Sequence, residues 1–372
     1  MSDRIKIMHI IPSLRGGGAE RVCFDLLINL DQQKYETSLL LFKDNGDGQI
    51  WREKLNYHGV KIISLKKDRL IDIINFQKIY QTIKEFKPDI LHTHLGGDIY
   101  GRLAGFFAKV PVIVSTEHNL NYQERKSATF LKKITSRFAN QIFPVSEAVK
   151  KDAIKRYQIP AHKLTVIYNG IDLSLFNPGD NLMPTEKSNS TIVIGALGRL
   201  NEQKGFKFLI EAASKTKNKN YLVKIGGEGE LKNALLTQID QLDLKDRVTL
   251  LGQVEPISFF KNLDIFILPS LWEGLGLVVL EAALFNKPVI ASAVDGIEEI
   301  ISHDKGWLFR AGDSSMLAER IDEVIENLHN DSVQRKINLA RKNIEEKFSL
   351  KNMVLNYKTW YDKLYQEKVK SK

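Results

Sequence analysis

The chain has a single cysteine, Cys23, among its 372 residues. One thiol can form neither an internal disulfide nor a cysteine metal cluster. Because Cys23 lies in an apolar stretch with helical periodicity, we expect a buried structural thiol rather than a nucleophile. No apolar run approaches the roughly 18 residues that a membrane-spanning helix needs. The N-terminus passes into a strand pattern without a signal-peptide pattern, so we expect a cytoplasmic protein.

Two common nucleotide-binding signatures are also missing. Gly16, Gly17 and Gly18 follow the first predicted strand, but a dinucleotide fingerprint would need another glycine where Arg21 stands. The acidic ribose ligand expected about 20 residues further on is absent, as is the Lys-Ser/Thr ending of a triphosphate loop. Nicotinamide binding is therefore disfavoured. Glycines before a helix still favour an anion contact through backbone N–H groups, with a plain tight turn as the alternative.

The net charge of +9 is unevenly distributed along the chain. Residues 1–180 hold 27 Lys and Arg against 19 Asp and Glu, whereas residues 181–351 hold 22 against 24. A basic first half favours an anionic partner, such as nucleic acid, phospholipid headgroups or a phosphate-bearing substrate. We find no recognised nucleic-acid-binding module and no interleaving of aromatic and basic residues, so we expect no nucleic-acid partner.

Short β-branched runs alternate with helix-periodic segments, which predicts βαβ units and parallel sheets. The first series of predicted strands is Ile5–Ile11, Thr37–Phe42, Val60–Leu65, Asp89–His92, Val110–Thr116 and Gln141–Val145. The second series is Thr191–Leu197, Tyr221–Ile225, Arg247–Leu251, Asp264–Leu268 and Val289–Ala291. Between them lies Asn177–Ser190, a polar stretch with two prolines that predicts a linker. We predict two successive doubly wound α/β units, with ligands beyond the carboxyl ends of the strands.

Two predicted strands end at histidines. His92 and His94 are two residues apart on one strand, so both side chains point to one face and could bind zinc. No third ligand is evident in the sequence, so we predict no metal site. His118, in Thr116-Glu117-His118, is the stronger candidate for a role in a cleft. For His92 and His94, ordinary hydrogen-bonded histidines without such a role are the alternative.

The first strand of the second series runs into a basic turn between Gly198 and Gly205. Arg199 and Lys204 stand five residues apart in this turn and could hold a diphosphate from two sides without a metal ion. A solvated basic turn is the alternative. The next strand ends in a second flexible turn, Gly226–Gly229, which also precedes a helix-periodic segment.

Glu273 and Glu281 belong to the most specific pattern in the chain, because residues 269–283 read PSLWEGLGLVVLEAA. Gly274 and Gly276 leave backbone amides uncovered before a helix predicted to start near Leu277. Glu281 falls in the early turns of that helix and could accept two ribose hydroxyls. The eight-residue step, at about 1.5 Å per helical residue, predicts a wider separation than the roughly 5–5.5 Å of a retaining glycosidase pair. A glycosidase is therefore the poorer interpretation.

Taken together, these patterns resemble the family-four glycosyltransferases of the GT-B fold over nearly the whole chain. The motifs that carry the resemblance are Gly17–Glu20, Thr116–His118, Pro144–Ser146, Tyr168–Asp172, Gly198–Arg199, Lys204–Gly205, Gly226–Gly229 and the pair Glu273 and Glu281. The resemblance implies two Rossmann-like domains facing a cleft, an acceptor-side domain at 1–178 and a donor-binding domain at 179–351. It also implies that the final helix, about Met353 to Tyr365, crosses back, so that residues 352–372 join the first domain.

The resemblance further implies a role for each site residue. Arg199 and Lys204 would hold the donor diphosphate and stabilise it as a leaving group. His118 would contact the donor sugar or the acceptor, Glu273 the transferred sugar, and Glu281 the ribose. The remaining donor contacts would be Gly17, Gly18, Val254, Gly274, Gly276 and Leu277, with the backbone of Val254 meeting the base.

Members of this family retain the anomeric configuration, which is explained by front-face attack with the leaving phosphate helping to deprotonate the acceptor. The absence of an evident nucleophile in this sequence agrees with that chemistry. The Asp-x-Asp metal signature of the other major transferase fold is also absent. We therefore expect a metal-independent enzyme without a cofactor, which uses a nucleoside diphosphate sugar. Uridine diphosphate donors dominate the family, so a UDP-linked hexose or N-acetylhexosamine is the expected donor.

A basic amphipathic helix is predicted within Asn121–Asn140. Its basic residues are Arg125, Lys126, Lys132, Lys133 and Arg137, and its apolar residues are Phe130, Leu131, Ile134 and Phe138. Such a helix, together with His94, could meet a lipid-linked glycan or lie on an anionic membrane. A helix that packs on its own domain with solvated charges is the alternative. Relatives with this N-terminal pattern build lipopolysaccharide, capsule or lipid-linked oligosaccharides, so we expect a peripheral enzyme at the inner face of the cytoplasmic membrane.

Two other functions remain open at this point. A sugar-nucleotide epimerase shares the two-domain plan but also needs residues that deprotonate a carbon. A regulatory protein could keep the fold and the nucleotide-sugar site without catalysis, although the intact set of Arg199, Lys204, Glu273 and Glu281 disfavours it.

Overall fold

The computed structural model describes residues 4–44, 46–66, 73–120, 122–175 and 191–370. The predicted linker Asn177–Ser190 lies outside these described residues. The chain divides into two compact units, one formed by Met1–Gly170 with Leu350–Lys372 and the other by Ile171–Ser349. Each unit is a six-stranded parallel sheet with helices, as the alternation of strand and helix patterns predicts.

The sheet of the first unit has the strand order β3-β2-β1-β4-β5-β6. Its strands are β1 (Ile5–Ile11), β2 (Tyr35–Asp44), β3 (Lys61–Lys66), β4 (Ile90–His94), β5 (Val112–Glu117) and β6 (Gln141–Pro144). The helices between and after them are α1 (Gly18–Asn29), α2 (Gln49–Tyr57), α3 (Ile73–Phe86), α4 (Gly97–Phe107), α5 (Lys126–Thr135) and α6 (Glu147–Tyr157). The strand order reverses between β1 and β4, which makes the sheet doubly wound.

Both faces of this sheet are covered, which explains why its strands are apolar almost throughout. Met8 and Ile10 of β1 pack in a core with Ile79 and Ile83 of α3. Ile11 points to the other face and packs in a second core with residues of α1, including Cys23. Cys23 is fully buried, as its apolar setting predicts.

The second unit repeats the plan with the order β12-β11-β10-β7-β8-β9. Its strands are β7 (Ile192–Leu197), β8 (Tyr221–Gly226), β9 (Val248–Gly252), β10 (Ile265–Leu268), β11 (Val289–Ser292) and β12 (Trp307–Phe309). Its helices are α7 (Phe206–Lys215), α8 (Lys232–Gln241), α9 (Pro256–Lys261), α10 (Leu277–Leu284), α11 (Asp295–Glu298), α12 (Ser314–Glu326) and α13 (Asp331–Lys347). The order reverses between β7 and β10.

The last α-helix, α14 (Leu350–Tyr365), belongs to the first unit, as predicted. It packs against α1. The Asp362 carboxylate accepts a hydrogen bond from the Tyr35 hydroxyl at 2.6 Å and pairs with the Lys34 ammonium at 2.6 Å. Tyr357 and Tyr361, one turn apart on α14, are fully buried. The C-terminal helix therefore brings two buried hydroxyl groups into the first unit.

Both units use an aspartate to fix their central strand pair. The Asp89 carboxylate, just before β4, accepts a hydrogen bond from the Lys6 N–H of β1 at 2.9 Å. Asp264, just before β10, accepts from the Val193 N–H of β7 at 2.7 Å. Each carboxylate satisfies a backbone donor at the entry to the strand pair where the sheet order reverses.

Every predicted strand is present, and the bounds differ by at most two residues. The structure adds β12, whose three residues are too short to stand out in the sequence. Ile171 belongs to the second compact unit, whereas the sequence predicts the domain boundary at residue 178. The reason is local: the Ile171 N–H donates to the Phe348 carbonyl, which ties this segment to the end of α13.

Candidate active site

Most predicted site residues of the second unit lie in loops at the carboxyl ends of its strands, and Leu277 and Glu281 lie on the helix α10 that follows one of these loops. β7 is the central strand, with β10 on one side and β8 on the other. The loop after β7 carries Arg199 and Lys204, and the loop after β10 carries Glu273. Because the strand order reverses between β7 and β10, these loops flank the position where doubly wound sheets bind ligands.

The loop after β7 is held in shape by two local features. The Asn201 side chain accepts a hydrogen bond from the Lys204 N–H at 3.2 Å, which fixes the short turn between them. Gly205 follows with φ of +62°, and a Cβ atom there would lie 2.1 Å from the Pro269 carbonyl oxygen. Only glycine allows the two loops to approach this closely.

Lys204 and Glu273 form an ion pair between these loops. The Lys204 Nζ lies 2.5 Å from Glu273 Oε1, and the Ser270 hydroxyl donates to the same oxygen at 2.7 Å. Glu273 is only 5% exposed. The structure thus brings together two residues that are 69 positions apart in the sequence, and it holds the ammonium in one place.

Arg199 is less constrained than Lys204. Its side chain is 72% exposed, and its Nε lies 3.8 Å from the exposed carboxylate of Glu230. A surface ion pair of this length contributes little to stability. The basic turn therefore combines one fixed ammonium with one solvent-exposed guanidinium.

Glu281 lies on α10, one turn inside the helix that follows the Glu273 loop. The helix begins at Leu277 after Gly276, which has φ of +79° and occupies the N-cap without a side-chain hydrogen bond. The first N–H groups of α10 are therefore not capped by that residue, and they carry the positive end of the helix dipole. Glu281 is half-buried and Gly274 is buried.

Val254 lies in the loop after β9, next to the end of β8. A Cβ atom on Gly226 would be 2.7 Å from the Val254 side chain, and one on Gly227 would be 1.9 Å from the Gly198 carbonyl. The loops that follow β7, β8 and β9 therefore contact one another closely. This contact places the predicted base contact and the predicted diphosphate contacts at the same edge of one sheet.

The predicted anion loop of the first unit is exposed. Gly16 has φ of +86°, and Gly17 is the N-cap of α1 without a side-chain hydrogen bond. Gly16, Gly17 and Gly18 are all exposed. The start of this 12-residue helix is therefore exposed, and the carboxylate of Glu20 in its first turn lies beside Gly17.

His118, at the end of β5, is joined to His94 of β4. The Nδ1 of His94 lies 3.0 Å from the Nε2 of His118. The other ring nitrogen of His118, Nδ1, is buried and has no hydrogen-bond partner among the described residues. Burial lowers the pKa of His118 to about 4, so the ring is neutral at physiological pH.

Glu117, the residue before His118, is anchored on the opposite face of the sheet. Its carboxylate pairs with Arg102 at 3.1 Å and with Lys132 at 3.3 Å, and all three residues are buried. Burial alone would raise the pKa of Glu117, but the charges of Lys132 and Arg102 outweigh it and hold the pKa below its usual value. The end of β5 is therefore fixed from both faces, by His94 on one and by these cations on the other.

Two residues predicted to meet the acceptor or a membrane are buried instead. Lys132 is 7% exposed and pairs with Glu117 and Glu124, each at 3.3 Å, so it is not available to a membrane surface. His94 is fully buried, and both of its ring nitrogens contact other histidines, so direct contact with an acceptor is wrong for it.

The other four basic residues of this group keep the predicted accessibility. Arg125, Lys126 and Arg137 are exposed, and Lys133 is half-buried. The helix itself is shorter than predicted, because α5 begins at Lys126 and ends at Thr135. Asn121, where the predicted segment starts, lies outside the described residues.

A third histidine, His9 of β1, joins His92 and His94 in a buried cluster. One nitrogen from each ring lies within 4.8 Å of the others, a spacing that a metal ion could bridge. However, all six ring nitrogens already have hydrogen-bond partners. A metal ion would have to break several of these bonds, so we keep the prediction that no metal binds here.

Several residues at these sites were missed in the sequence. They are His9, Arg102, Ser270, Tyr357 and Tyr361. His9 and Lys6 are the two polar residues inside the apolar run Ile5–Ile11, and a histidine at an otherwise apolar position could have marked the site. Arg102 has a similar signal, since it stands between glycines and apolar residues on α4. No sequence pattern could have marked Tyr357 and Tyr361, because their hydrogen-bond partners are more than 200 residues away.

Comparisons with known proteins show the family of this chain. The model of Glycosyltransferase Family 4 matches residues 16–175, and the model of Glycosyl transferases group 1 matches residues 181–343. The UDP-Gal:alpha-D-GlcNAc-diphosphoundecaprenol alpha-1,3-galactosyltransferase of Escherichia coli is 28% identical over 366 residues, covering 93% of this chain and 92% of that protein. The capsular polysaccharide biosynthesis glycosyltransferase CapM of Staphylococcus aureus is 28% identical over 311 residues, covering 77% of this chain and 80% of that protein.

Among solved structures, Anabaena Alr3699/HepE in complex with UDP-glucose superposes with a TM-score of 0.85. It is 22% identical in sequence, and the match covers 97% of this chain and all of that one. The two family models abut near residue 180 and together span most of the chain, one on each doubly wound unit. The chain belongs to the family-four glycosyltransferases, whose fold is GT-B.

Proposed function

We propose that this protein is a retaining, metal-independent hexosyltransferase. It moves a hexose or N-acetylhexosamine from a UDP-linked donor to a glycan or lipid-linked acceptor in cell-surface polysaccharide biosynthesis. The observation that carries the proposal is the pair of Lys204 and Glu273 at the edge of the sheet, with Arg199 in the same loop. The names of the Escherichia coli and Staphylococcus aureus relatives, and the UDP-glucose complex of the Anabaena protein, support the donor and acceptor classes.

Lys204 and Arg199 supply the charge that the reaction needs. Breaking the bond between sugar and diphosphate leaves negative charge on the phosphate, and cations placed beforehand stabilise it without a metal ion. Glu273 and Ser270 hold Lys204 through one carboxylate oxygen, so little reorganisation is needed when the charge develops. The second carboxylate oxygen of Glu273 is then left for a sugar hydroxyl.

The remaining contacts complete the donor site. Glu281 binds the ribose, the backbone of Val254 meets the base, and the first N–H groups of α10 favour the phosphates. In the first unit, the glycines before α1 favour an anion. His118, in the first unit, offers to the donor sugar or to the acceptor an Nδ1 that has no hydrogen-bond partner among the described residues. These roles are proposals for each residue, and each can be tested alone.

The most direct test of the reaction is a panel of nucleoside diphosphate sugars. We expect one or more UDP-sugars to raise the melting temperature, and the stabilising donor to be consumed with release of UDP in the presence of a chelator. Proton NMR of the product should show the same anomeric configuration as the donor. Inversion of the configuration, or dependence on a divalent ion, would contradict the proposal. Conversion of the donor to its epimer would identify an epimerase, and binding without turnover a regulator.

Replacing Lys204 with Met should weaken UDP binding by about 2 kcal/mol, which is about 30-fold in Kd, because a charged hydrogen bond is lost. Isothermal titration calorimetry with UDP and with UMP tests whether the lost contact is the one to the second phosphate. UMP lacks the second phosphate, so its affinity should fall less. Lys207→Met removes an exposed lysine three residues away and is the matched control. Equal affinity of the Lys204 variant and the parent protein for UDP would refute the assignment.

Replacing Glu281 with Ala should remove a contact to ribose hydroxyls. The parent protein should then prefer UDP over 2′-deoxy-UDP by about 1.5 kcal/mol, roughly tenfold, and the variant should lose this preference. Glu319→Ala, at an exposed position on α12, serves as the control. A preference that persists in the Glu281 variant would place the ribose elsewhere.

We infer a second partner, an anionic bilayer at the cytoplasmic face of the membrane, from an exposed apolar patch on the first unit. Phe107 on α4 is 59% exposed, and Phe130 and Leu131 on α5 are 61% and 43% exposed. The two helices pack together, and Phe106 stacks on Phe138 with ring centroids 4.3 Å apart. Exposed aromatic rings beside basic residues are typical of interfacial binding to anionic lipid.

The basic residues on α5 or within a few residues of the ends of α4 and α5 are Lys109, Arg125, Lys126, Lys133 and Arg137. Their charge complements phospholipid headgroups, and the apolar rings supply the area that would enter the headgroup region. Within the described residues, none of the helices has the length and apolarity required to cross a bilayer.

Flotation with vesicles tests this surface. The parent protein should float with vesicles of phosphatidylglycerol and phosphatidylcholine, and less with phosphatidylcholine alone. The pair Lys126→Glu and Phe130→Ser should lower the bound fraction about fivefold, since each basic residue contributes about 1 kcal/mol. The pair Lys245→Glu and Leu236→Ser changes an exposed lysine and an exposed leucine of the second unit as a control. Failure of the parent protein to float would argue against membrane association.

A further inference from the structure

A continuous chain of hydrogen bonds runs through the first unit and ends at the unpaired nitrogen of His118. Its members, in order, are Tyr357, Thr116, His92, Tyr361, His9, His94 and His118. All but His118 are fully buried, and the residues come from β1, β4, the end of β5 and α14.

The contacts are short along most of its length. From α14 inward, Tyr357 Oη lies 3.0 Å from Thr116 Oγ1, and Thr116 Oγ1 lies 2.7 Å from His92 Nε2. The other nitrogen of His92, Nδ1, lies 2.5 Å from Tyr361 Oη. The Tyr361 hydroxyl is 3.4 Å from His9 Nε2, which is the longest contact in the chain.

Two contacts between imidazole rings complete it. His9 Nδ1 lies 3.0 Å from His94 Nε2, and His94 Nδ1 lies 3.0 Å from His118 Nε2. The Cys23 sulfur is 3.7 Å from His9 Nδ1, a weak contact compatible with a proton on either atom. Each imidazole in the chain therefore uses both nitrogens, except His118, whose Nδ1 remains unpaired among the described residues.

With neutral imidazoles, two directions let each hydroxyl inside this hydrogen-bond chain both donate and accept. A neutral imidazole donates from one nitrogen and accepts at the other, and a hydroxyl donates once. Along His9, His94 and His118, once one ring donates in a given direction, each of the following rings must do the same. A hydroxyl can instead accept from both of its neighbours, but its own proton is then left without an acceptor in the chain. In the outward direction every proton points toward His118, which then carries its own proton on Nδ1. In the inward direction His118 carries its proton on Nε2, and its Nδ1 offers a lone pair.

The two directions differ in how many groups they leave unpaired. In the outward direction the Tyr357 hydroxyl donates to Thr116, and every buried donor has an acceptor except the Nδ1–H of His118. In the inward direction Tyr357 accepts from Thr116, so its own proton has no partner among the described residues, and His118 Nδ1 also stays unpaired. A buried donor or acceptor without a partner is costly, and the outward direction leaves one such group whereas the inward direction leaves two. The outward direction is therefore favoured.

We propose that this hydrogen-bond chain fixes His118 as the tautomer protonated on Nδ1. His118 is then a neutral hydrogen-bond donor to a substrate oxygen rather than a base. The ligand group that it takes is a sugar hydroxyl or a phosphate oxygen. The identity of that substrate rests on the proposed function, whereas the tautomer rests on the hydrogen-bond chain alone. His9, His92, His94, Thr116, Tyr357 and Tyr361 are then positioning residues.

Burial keeps the four imidazole rings of the hydrogen-bond chain neutral. It lowers the pKa of His9 to about 3 and that of His118 to about 4. The pKa values of His92 and His94 are also well below the usual value, because of burial and then of the neighbouring histidines. The charged groups nearest to His118 are Glu117 and Lys132, which act on its pKa in opposite directions.

Nitrogen-15 NMR of the full-length protein, labelled at histidine, measures the tautomer without substrate. We expect His118 with a proton on Nδ1 and none on Nε2. Scalar coupling between nitrogens across the hydrogen bonds should link His9 to His94 and His94 to His118. A proton on Nε2 of His118, or a mixture of the two tautomers, overturns the proposal. This outcome is read from the parent protein, so it does not depend on any variant.

Tyr361→Phe tests whether the distant part of the hydrogen-bond chain influences the His118 tautomer. It removes the hydroxyl between His92 and His9 and leaves His94 and His118 unchanged. We expect signals of both His118 tautomers in this variant, and a kcat about tenfold lower with an unchanged Kd for UDP. Tyr80→Phe, a half-buried tyrosine on α3 outside the chain, is the control. A single, unchanged His118 tautomer in Tyr361→Phe would show that the distant part of the chain has no influence.

Two variants of His94 differ in whether their side chain can donate a hydrogen bond to His118. In His94→Asn the amide can replace the Nδ1–H donor toward His118, so the Nδ1–H tautomer of His118 should persist. In His94→Leu nothing donates to His118, and the tautomers should mix. The same mixture in both variants would contradict the proposal.

Different results would reject the role of the hydrogen-bond chain and the proposed function. Transfer of sugar by a protein with mixed His118 tautomers would reject the hydrogen-bond chain and keep the function. A fixed Nδ1–H tautomer in a protein that transfers no sugar from any nucleoside diphosphate donor would do the reverse.

Discussion

Parallel strand pairing is the constraint on which the rest of this structure depends. Each strand must be followed by a crossover that returns the chain to the same end of the sheet, so all carboxyl ends of a sheet lie along one edge. In the second unit this rule gathers Lys204, Val254 and Glu273 from three separate loops. In the first unit it gathers the glycines after β1 and His118 after β5. Functional groups far apart in sequence become neighbours without any further device.

Buried polar groups then fix the orientation of the groups that parallel pairing brings together. Glu273 would be costly to bury alone, and Lys204 with Ser270 satisfies it. Glu117 is satisfied in the same way by Arg102 and Lys132 on one face of its sheet. On the opposite face, histidines and two tyrosines of α14 form the chain that ends at His118. Because α14 is the last α-helix, the C-terminal segment helps to define a residue at the proposed site.

Most of the fold could be predicted from the sequence, because buried parallel strands are apolar and helices keep their own periodicity. The strands were found in this way. The return of α14 to the first unit was implied by the family resemblance, and Arg199, Lys204, Glu273 and Glu281 were found from the motifs that follow predicted strands. The errors concern side chains. Lys132 looks like a surface lysine in the sequence, but a buried carboxylate 15 residues away draws it inward. His94 looks like a ligand for the acceptor, and the tyrosines that enclose its cluster come from the distant end of the chain, where no local pattern could reveal them.

The central claim is that the edge formed by β7, β9 and β10 binds a nucleoside diphosphate sugar through Lys204 and Glu281. A crystal structure of the protein with UDP tests it most directly. The account predicts phosphate oxygens in hydrogen-bond contact with Lys204 and Arg199, ribose hydroxyls on Glu281, and the base against the backbone of Val254. UDP bound at another edge of either sheet, or at this edge without contact to Lys204 and Glu281, would contradict it.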